Sequence, residues 1–204
     1  MLQHDTTEPL TERQRKMIDE AEKSCARLVG IIAELSDISK LDAGLLALGQ
    51  QPLDFFTLVG DVAEHVHEAR DREVRLEVRG DADGASLMGD AVRLRNAVEA
   101  IARAILREKA GPCTVVADRR RVTRDGQGAA LVVIAEDRDV QAACDSDPGM
   151  FDEKRGGLGL ALPLARRVIE GHGGRVWSPS PRAGNEDLLA RGSAIISLPV
   201  METR

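Results

Sequence analysis

A long helical pattern in the first quarter of the chain constrains its fold most strongly. From Ile18 to Leu35, apolar residues recur at alternating steps of three and four, with charged residues between them. This spacing lines up apolar side chains in one narrow stripe along a helix: Ile18, Ala21, Cys25, Leu28, Ile32 and Leu35. We expect the helix to span residues 11–48, a length of over roughly 50 Å. Because a narrow stripe on so long a helix needs a partner helix, the sequence predicts self-association.

Composition narrows the classes of partner. The formal net charge of -6 argues against nonspecific binding to nucleic acid or to an anionic membrane surface, where a basic surplus is expected. No apolar stretch approaches the roughly 18 residues that span a bilayer. The three cysteines lie far apart, without the spacing of a zinc site or a disulfide framework. They are therefore interpreted as reduced thiols of a cytoplasmic protein.

The rest of the chain alternates between helical and strand patterns. The segment 49–52 breaks the first helix, and residues 138–156 look irregular. Helices and strands in this mixed order predict an α+β fold, a two-layer α/β sandwich with helices over one face of a mixed sheet. We divide the chain into a leader and long helix (1–50) and a sandwich domain (51–204). Three further helices are predicted: one over 53–69, one that starts after an N-cap at Asp90, and one over 160–170. The predicted strands cover 74–78, 113–118, 130–135, 175–177 and 194–198.

A glycine-rich run, 156–162, is the most informative motif. Glycines at alternate positions let the backbone approach a phosphate, and the N–H groups of the following helix point toward it. Taken alone, this run is equally compatible with a glycine-rich helix entry that binds no ligand. The residues that follow it decide between the two interpretations.

The run from 156 to 177 resembles the second glycine box of sensor histidine kinases, a family that shares its ATP-binding fold with DNA gyrase. Upstream, 36–44 resembles the end of the family's second dimerisation helix, and 89–98 resembles the opening of its asparagine box. The segment 192–199 is similar to its closing strand. The resemblance implies a sandwich of the histidine kinase/gyrase ATPase type behind a dimerisation helix. It also implies a homodimer through helix 11–48, ATP and Mg as ligands, and a response regulator or partner kinase as partner.

Two boxes depart from the family pattern. The two asparagines of the asparagine box fall on Ala100 and Ala104, and a methyl group cannot ligate magnesium. Two glycines of the first glycine box fall on Asp139 and Gln141, whose side chains are expected to crowd and repel a polyanionic ligand.

Three residues remain as candidates for nucleotide binding by resemblance: Asp137, Gly157 and Gly159. No catalytic residue and no metal ligand is assigned. The segment Met150–Asp152 resembles a remnant of the phenylalanine box that lies between the two glycine boxes.

The four histidines do not provide a clear phosphoacceptor. His4, with Pro9 and Leu10 after it, imitates the family's acceptor box, but the long helix starts almost at once. We therefore expect residues 1–4 to be the tail of a first dimerisation helix and the chain to begin midway through a larger protein. His65, His67 and His172 are expected to be structural or surface residues.

Three functions remain open at this point. The first is a pseudokinase, a regulatory or docking module of a two-component phosphorelay whose nucleotide site is eroded. The second is the ATP-binding catalytic core of an active sensor histidine kinase that lacks its acceptor helix in this chain. The third is a histidine phosphotransferase on a degenerate kinase scaffold. The substitutions at Ala104, Asp139 and Gln141 favour the first function, and the retained Asp137, Gly157 and Gly159 favour the second.

Overall fold

The first helix is shorter than predicted. A computed structural model describes residues 10–67, 70–124, 126–157, 159–180 and 186–201. Helix α1 spans Glu12–Asp42 and begins at a capping box, in which Thr11 accepts from the backbone N–H of Gln14. It ends well before residue 48 because Gly44 adopts a left-handed conformation (φ 66°) and the Leu45 N–H turns back to the Lys40 carbonyl at 2.8 Å. This is a Schellman-type stop, for which glycine is the preferred residue.

The domain after α1 is built on a six-stranded mixed sheet in the order β2-β4-β5-β8-β7-β6, with β1 and β3 paired separately. Only β2 and β4 run parallel, joined by a crossover that contains β3 and α3. The strands are β1 (Gln51–Asp54), β2 (Val74–Gly80), β3 (Ser86–Gly89), β4 (Cys113–Arg124), β5 (Gln127–Glu136), β6 (Pro148–Gly149), β7 (Arg175–Pro179) and β8 (Ala194–Pro199). The helices are α2 (Phe55–His65), α3 (Ala91–Glu108), α4 (Val140–Cys144), α5 (Ala161–Gly171) and α6 (Glu186–Arg191).

The main core lies between one face of the sheet and helices α2, α3 and α5. Its side chains are apolar and almost completely buried, because each helix turns one apolar stripe toward the alternate, inward residues of the strands. This arrangement confirms the predicted α+β sandwich. The largest fully buried members include Phe55, Phe56, Leu94, Ile101, Ile105, Leu162 and Ile169.

The opposite face of the sheet is also covered, which the sequence reading missed. Helix α4 lies in the segment predicted to be irregular, and α6 lies in the loop before β8. A second apolar cluster forms under them, because the alternate residues of β5 and β8 point to this face. The cluster contains Val133, Ala135, Ala143, Trp177 and Ile195, with Leu189 of α6 against it.

Only the C-terminal end of α1 rests on the sandwich. Ile38 is buried, and Leu41 packs against the main core. Two ion pairs flank this contact: Asp37 with Arg93 of α3 at 2.7 Å, and Asp42 with Arg167 of α5 at 2.6 Å. The division of the chain at residue 50 stays a prediction.

Asp90 is the N-cap of α3, as predicted. Its Oδ1 accepts from the backbone N–H of Arg93 at 3.0 Å, and its Oδ2 accepts from the backbone N–H of Gly49 at 3.2 Å. Burial alone would raise the pKa of Asp90, but these two hydrogen bonds, with the charge of Arg93, hold it below its ordinary value. The carboxylate therefore ties the linker before β1 to the start of α3.

Replacing Asp90 with alanine is expected to lower the free energy of unfolding by about 1–2 kcal/mol at neutral pH, the range for loss of an N-cap. Because the folded-state pKa is depressed, this contribution is present above the unfolded pKa of about 3.9 and is lost as pH falls through the folded value. Urea unfolding of both proteins at pH 7 and below about pH 3 measures it, with Asp19→Ala on the exposed part of α1 as the control. An equal difference at both pH values would contradict the assignment.

Candidate functional site

The two segments that carry the candidate nucleotide residues meet at the C-terminal end of α3. The Glu108 carboxylate accepts from the backbone N–H of Gly156 at 3.1 Å, next to Gly157. Lys109 contacts the carboxylate of Glu136 at 3.4 Å, one residue before Asp137. Neighbouring residues of one helix end thus hold both segments.

Asp137 is engaged by a protein cation. It follows β5 in a short 3-10 turn and stands half exposed. Its Oδ1 accepts a short hydrogen bond from Arg79 of β2, and its Oδ2 accepts a second at 3.2 Å. Hydrogen bonds to Asp137 and then to Glu77 raise the pKa of Arg79, which keeps the guanidinium charged. A ligand that used this carboxylate as an acceptor would have to compete with a bidentate ion pair.

Gly157 and Gly159 both have the backbone freedom that the motif predicts. Their φ angles are 61° and 65°, and a Cβ built at either position meets no heavy atom of the described residues within 4 Å. The space beside both residues is therefore open. A phosphate could approach this backbone without a steric barrier from the neighbouring residues.

Gly156 shows the opposite situation. A Cβ built there would lie 2.8 Å from the Ala104 Cα and 3.1 Å from the Ala104 Cβ, so its backbone rests directly on α3. Ala104 is completely buried beneath it. A longer, metal-ligating side chain at position 104 would displace the glycine segment. Within the described residues, no group of three or more His, Cys, Asp or Glu side chains is arranged to hold a metal ion.

The expected crowding by Gln141 does not arise. Helix α4 carries Gln141 to the second face of the sheet, where its amide donates to both carboxylate oxygens of Asp145 and accepts from Arg120 of β4 at 3.5 Å. Arg120 lies on that face because strand residues alternate between faces. Asp139 stays next to Asp137, with its carboxylate 4.0 Å from Arg138.

Arg155 is a structural anchor that the sequence reading missed. Its side chain is only 3% exposed, and it donates to the carbonyls of Ala190, Arg191 and Ser193 and, through a short bond, to the Ser178 hydroxyl. Burial lowers the pKa of this guanidinium. The carbonyls at the end of α6 carry partial negative charge, which compensates part of the buried charge.

Phe151, the central residue of the proposed phenylalanine-box remnant, packs against Arg155. Its ring is buried, and the Arg155 guanidinium carbon stands 5.3 Å from its centroid. Met150 beside it is 90% exposed. Arg155, the residue before the glycine run, is thus fixed to the sheet.

A cavity of about 340 Å³ lies between α1, α3 and α5. Ala100, the other substituted asparagine position, lines it, together with Leu164 and Val168 of α5. Glu34 and Asp37 of α1 form part of its rim. Asp137, Gly157 and Gly159 are not among its lining residues, so Ala100 and the retained box positions face different spaces.

The three described histidines lie at or just after helix ends, His65 and His67 exposed and His172 half-buried. The His65 ring contacts the Asp61 carbonyl one turn earlier in α2, and His67 follows that helix. His172 bridges α5 and the start of α3. His4 and the proposed helix tail lie outside the described residues.

Comparison with known proteins gives consistent relatives. No family model matches the chain. It is 31% identical to the sensor histidine kinase GacS of Pseudomonas protegens, over 87% of this chain and 21% of that protein. It is 25% identical to the signal transduction histidine-protein kinase BarA of Escherichia coli, over 86% of this chain and 20% of BarA. The chain thus spans about a fifth of the length of these relatives.

Solved structures agree on the fold. Full-length ShkA in complex with AMPPNP superposes with a TM-score of 0.69 at 19% identity, over 97% of this chain and 41% of that one. The Acinetobacter baumannii histidine kinase AdeS superposes with a TM-score of 0.58 at 14% identity, over 98% and 89%. In the described part of the chain, no helix has the length and apolar character needed to cross a membrane. The chain is a homologue of the sensor histidine kinases of two-component systems, and its fold is that of their ATPase-type sandwich preceded by a helix.

Proposed function

We propose that this chain is a pseudokinase module of a two-component phosphorelay, a regulatory or docking unit whose sandwich does not bind Mg-ATP in the kinase manner. The observation that carries the proposal is the seating of Gly156 on the buried Ala104. Position 104 is where the family places an asparagine for magnesium. Here it holds a methyl group, with no room for a longer side chain.

The engagement of Asp137 supports the same proposal. By resemblance, Asp137 would accept a hydrogen bond from the adenine amino group, and both of its oxygens already accept from Arg79. Breaking a bidentate ion pair, even a half-exposed one, adds a cost to nucleotide binding that an unpaired aspartate would not impose. Calorimetric titration with Mg-ATP is the direct test, and no saturable heat is expected.

The second candidate is the catalytic core of an active kinase. Its support is the open, left-handed backbone at Gly157 and Gly159, together with the AMPPNP complex of the structural neighbour ShkA. In that case the two glycines and Asp137 would hold ATP and the magnesium would need a ligand from elsewhere. Micromolar, magnesium-dependent binding by the unmodified chain would favour this candidate.

A phosphotransferase has less support. Such a protein needs an acceptor histidine on its helical bundle, and α1 contains no histidine. The chain would then depend on a helix outside α1 for the chemistry. We propose that the pseudokinase acts in the cytoplasm. Its proposed partner is a response regulator or a partner kinase of a two-component system.

We further propose that α1 mediates a homodimer. Upstream of its contact with the sandwich, α1 exposes a continuous apolar stripe. Leu28 is 60% exposed, Ile32 65% and Leu35 55%, and burial of such side chains is the main driving force for helix association. Met17, Val29 and Ile31 widen the stripe beyond the predicted seam.

The double variant Leu28→Glu, Leu35→Glu is expected to be monomeric. Each buried leucine contributes about 2 kcal/mol, and a dimer loses two from each protomer, so the dissociation constant should rise by about a thousandfold or more. Sedimentation velocity across a concentration series measures this. Leu45→Glu is the matched control, because Leu45 is 80% exposed and lies beyond the end of α1. A wild type that stays monomeric, or a double variant that dimerises like it, would contradict the proposal.

A further inference from the structure

The ring of His172 uses both of its nitrogen atoms in contacts, one with the start of α3 and one within its own helix end. Its Nε2 lies 2.9 Å from the backbone nitrogen of Asp90, the first residue before α3. Its Nδ1 lies 2.7 Å from the Val168 carbonyl, one turn earlier in α5. A backbone N–H can only donate and a carbonyl can only accept, so Nε2 must accept and Nδ1 must donate. These contacts require the neutral ring with its proton on Nδ1.

One side of the half-buried ring also packs against the end of β3. A Cβ built on Gly89, the last residue of β3, would lie 2.8 Å from the Cδ2 of His172 and 3.0 Å from its Nε2. The ring therefore occupies the space that a side chain at position 89 would need.

The residue that His172 binds is the one that ties α1 to the sandwich. The Asp90 carboxylate accepts from the Gly49 N–H in the linker that follows α1, and it lies 3.6 Å from the Nε of Arg93. Arg93 in turn pairs with Asp37 of α1 at 2.7 Å. A chain of polar contacts thus runs from the end of α5 through the start of α3 to α1 and its linker.

We propose that His172 is a pH-sensitive latch, which in its neutral form holds the linker and the end of α1 on the sandwich and on protonation releases the linker. A protonated imidazole donates from both nitrogens. The Nε2–H and the Asp90 N–H would then be two donors facing each other at a hydrogen-bond distance, which is unfavourable. The hydrogen bond to Asp90 is then lost, and the ring must move.

A second interaction directs the movement. The nearby Asp90 carboxylate attracts a protonated ring, and a charge-assisted hydrogen bond to that carboxylate is stronger than the neutral bond it replaces. The carboxylate already accepts from Gly49 and Arg93. A new donor competes with these two, and the Gly49 contact, at 3.2 Å the longer of the two, is the one expected to open.

The other charged groups around this junction are already paired. Arg167 of α5 pairs with Asp42 of α1, and Glu170 of α5 pairs with Arg166. On α3 the facing groups are Asp90 and Arg93. Asp37 is also paired, with Arg93. Asp90 is thus the carboxylate through which a charge on His172 can affect the linker.

Hydrogen–deuterium exchange of the full chain tests the latch. The peptide that covers 43–50 should lose about tenfold in protection, after correction for the intrinsic rate, when pH falls from about 7.5 to about 5.5, since one hydrogen bond is worth about that factor. In the variant His172→Gln, a side-chain oxygen can accept from the Asp90 N–H but cannot be protonated, so its protection should not change with pH. His65→Gln, which removes an exposed histidine of α2, should behave like the wild type.

Wild-type protection that is constant over this pH range, or an equal pH-dependent loss in His172→Gln, would overturn the proposal. If His172→Gln does not fold, nitrogen NMR of the wild-type ring replaces it. The ring must carry its proton on Nδ1 at the higher pH, and its titration must coincide with the loss of protection at 43–50. A ring that titrates while the linker stays protected would also overturn the proposal.

Discussion

Calorimetric titration of this chain with Mg-ATP should give no saturable heat at ordinary protein concentrations. Two contacts that the kinase family uses are altered: position 104 offers a buried methyl group, and both oxygens of Asp137 are taken by Arg79. Loss of the metal-mediated contact costs about 1.5–3 kcal/mol, and competition with the half-exposed ion pair adds about 0–1 kcal/mol. An affinity that would otherwise be micromolar is therefore expected to fall by about tenfold to a thousandfold.

Two asparagine variants separate the steric cause from the chemical one. Ala104→Asn should not restore binding and should lower the free energy of unfolding by about 1–3 kcal/mol, because the added atoms meet the backbone of Gly156. Ala100→Asn places the same side chain beside the cavity between α1, α3 and α5 and should fold normally. Thermal unfolding of both variants, followed by the same titration, measures the two effects. Micromolar, magnesium-dependent binding by the unmodified chain would contradict the pseudokinase proposal and favour the active kinase.

The second large effect concerns stability. Arg155→Ala is expected to lower the free energy of unfolding by about 2–4 kcal/mol, since its loss leaves buried acceptors without donors and each hydrogen bond to a charged group contributes about 1.5–3 kcal/mol before relaxation. The acceptors are the carbonyls of Ala190, Arg191 and Ser193 and the hydroxyl of Ser178. The contact with the Phe151 ring is lost as well. Urea unfolding at neutral pH measures the change.

Arg166→Ala is the matched control. Arg166 makes two ion pairs at 2.8 Å, with Glu153 and Glu170, but its side chain is 42% exposed. Exposed pairs of this kind contribute about 0–1 kcal/mol, because water screens them and their side chains lose entropy. A similar loss of stability in both variants would show that burial does not determine how much Arg155 contributes to the free energy of unfolding.

Local patterns predicted much of the architecture. Helical patterns located α3 and α5, strand-like runs located β2, β4, β5, β7 and β8, and Asp90 was correctly placed as an N-cap. These features depend on residues close together in the chain, so a short window of sequence contains their cause. The end of α1 was misplaced because a left-handed Gly44 stops a helix even where apolar residues continue beyond it.

Short motifs also carry the family resemblance and the candidate residues. They do not predict which other residues surround those candidates in the fold. Whether Gln141 crowds a ligand depends on the face of the sheet to which α4 carries it, and that choice follows from the apolar cluster around Val133 and Ile195. Whether Asp137 is free depends on Arg79, which is 58 residues away in sequence and two strands away in the sheet. Pairing across such distances has no local signature.

The sequence by itself determined the α+β class, the order of the longer helices and strands and the positions at which the kinase boxes are substituted, because periodicity, caps and glycines act through neighbouring residues. Only the tertiary structure decided that Gly156 rests on Ala104, that Arg155 is buried among carbonyl groups, and that His172 connects the end of α5 to the start of α3. Each of these contacts joins segments that close packing brings together. Their consequences arise from burial, which removes the water that would otherwise satisfy the polar groups.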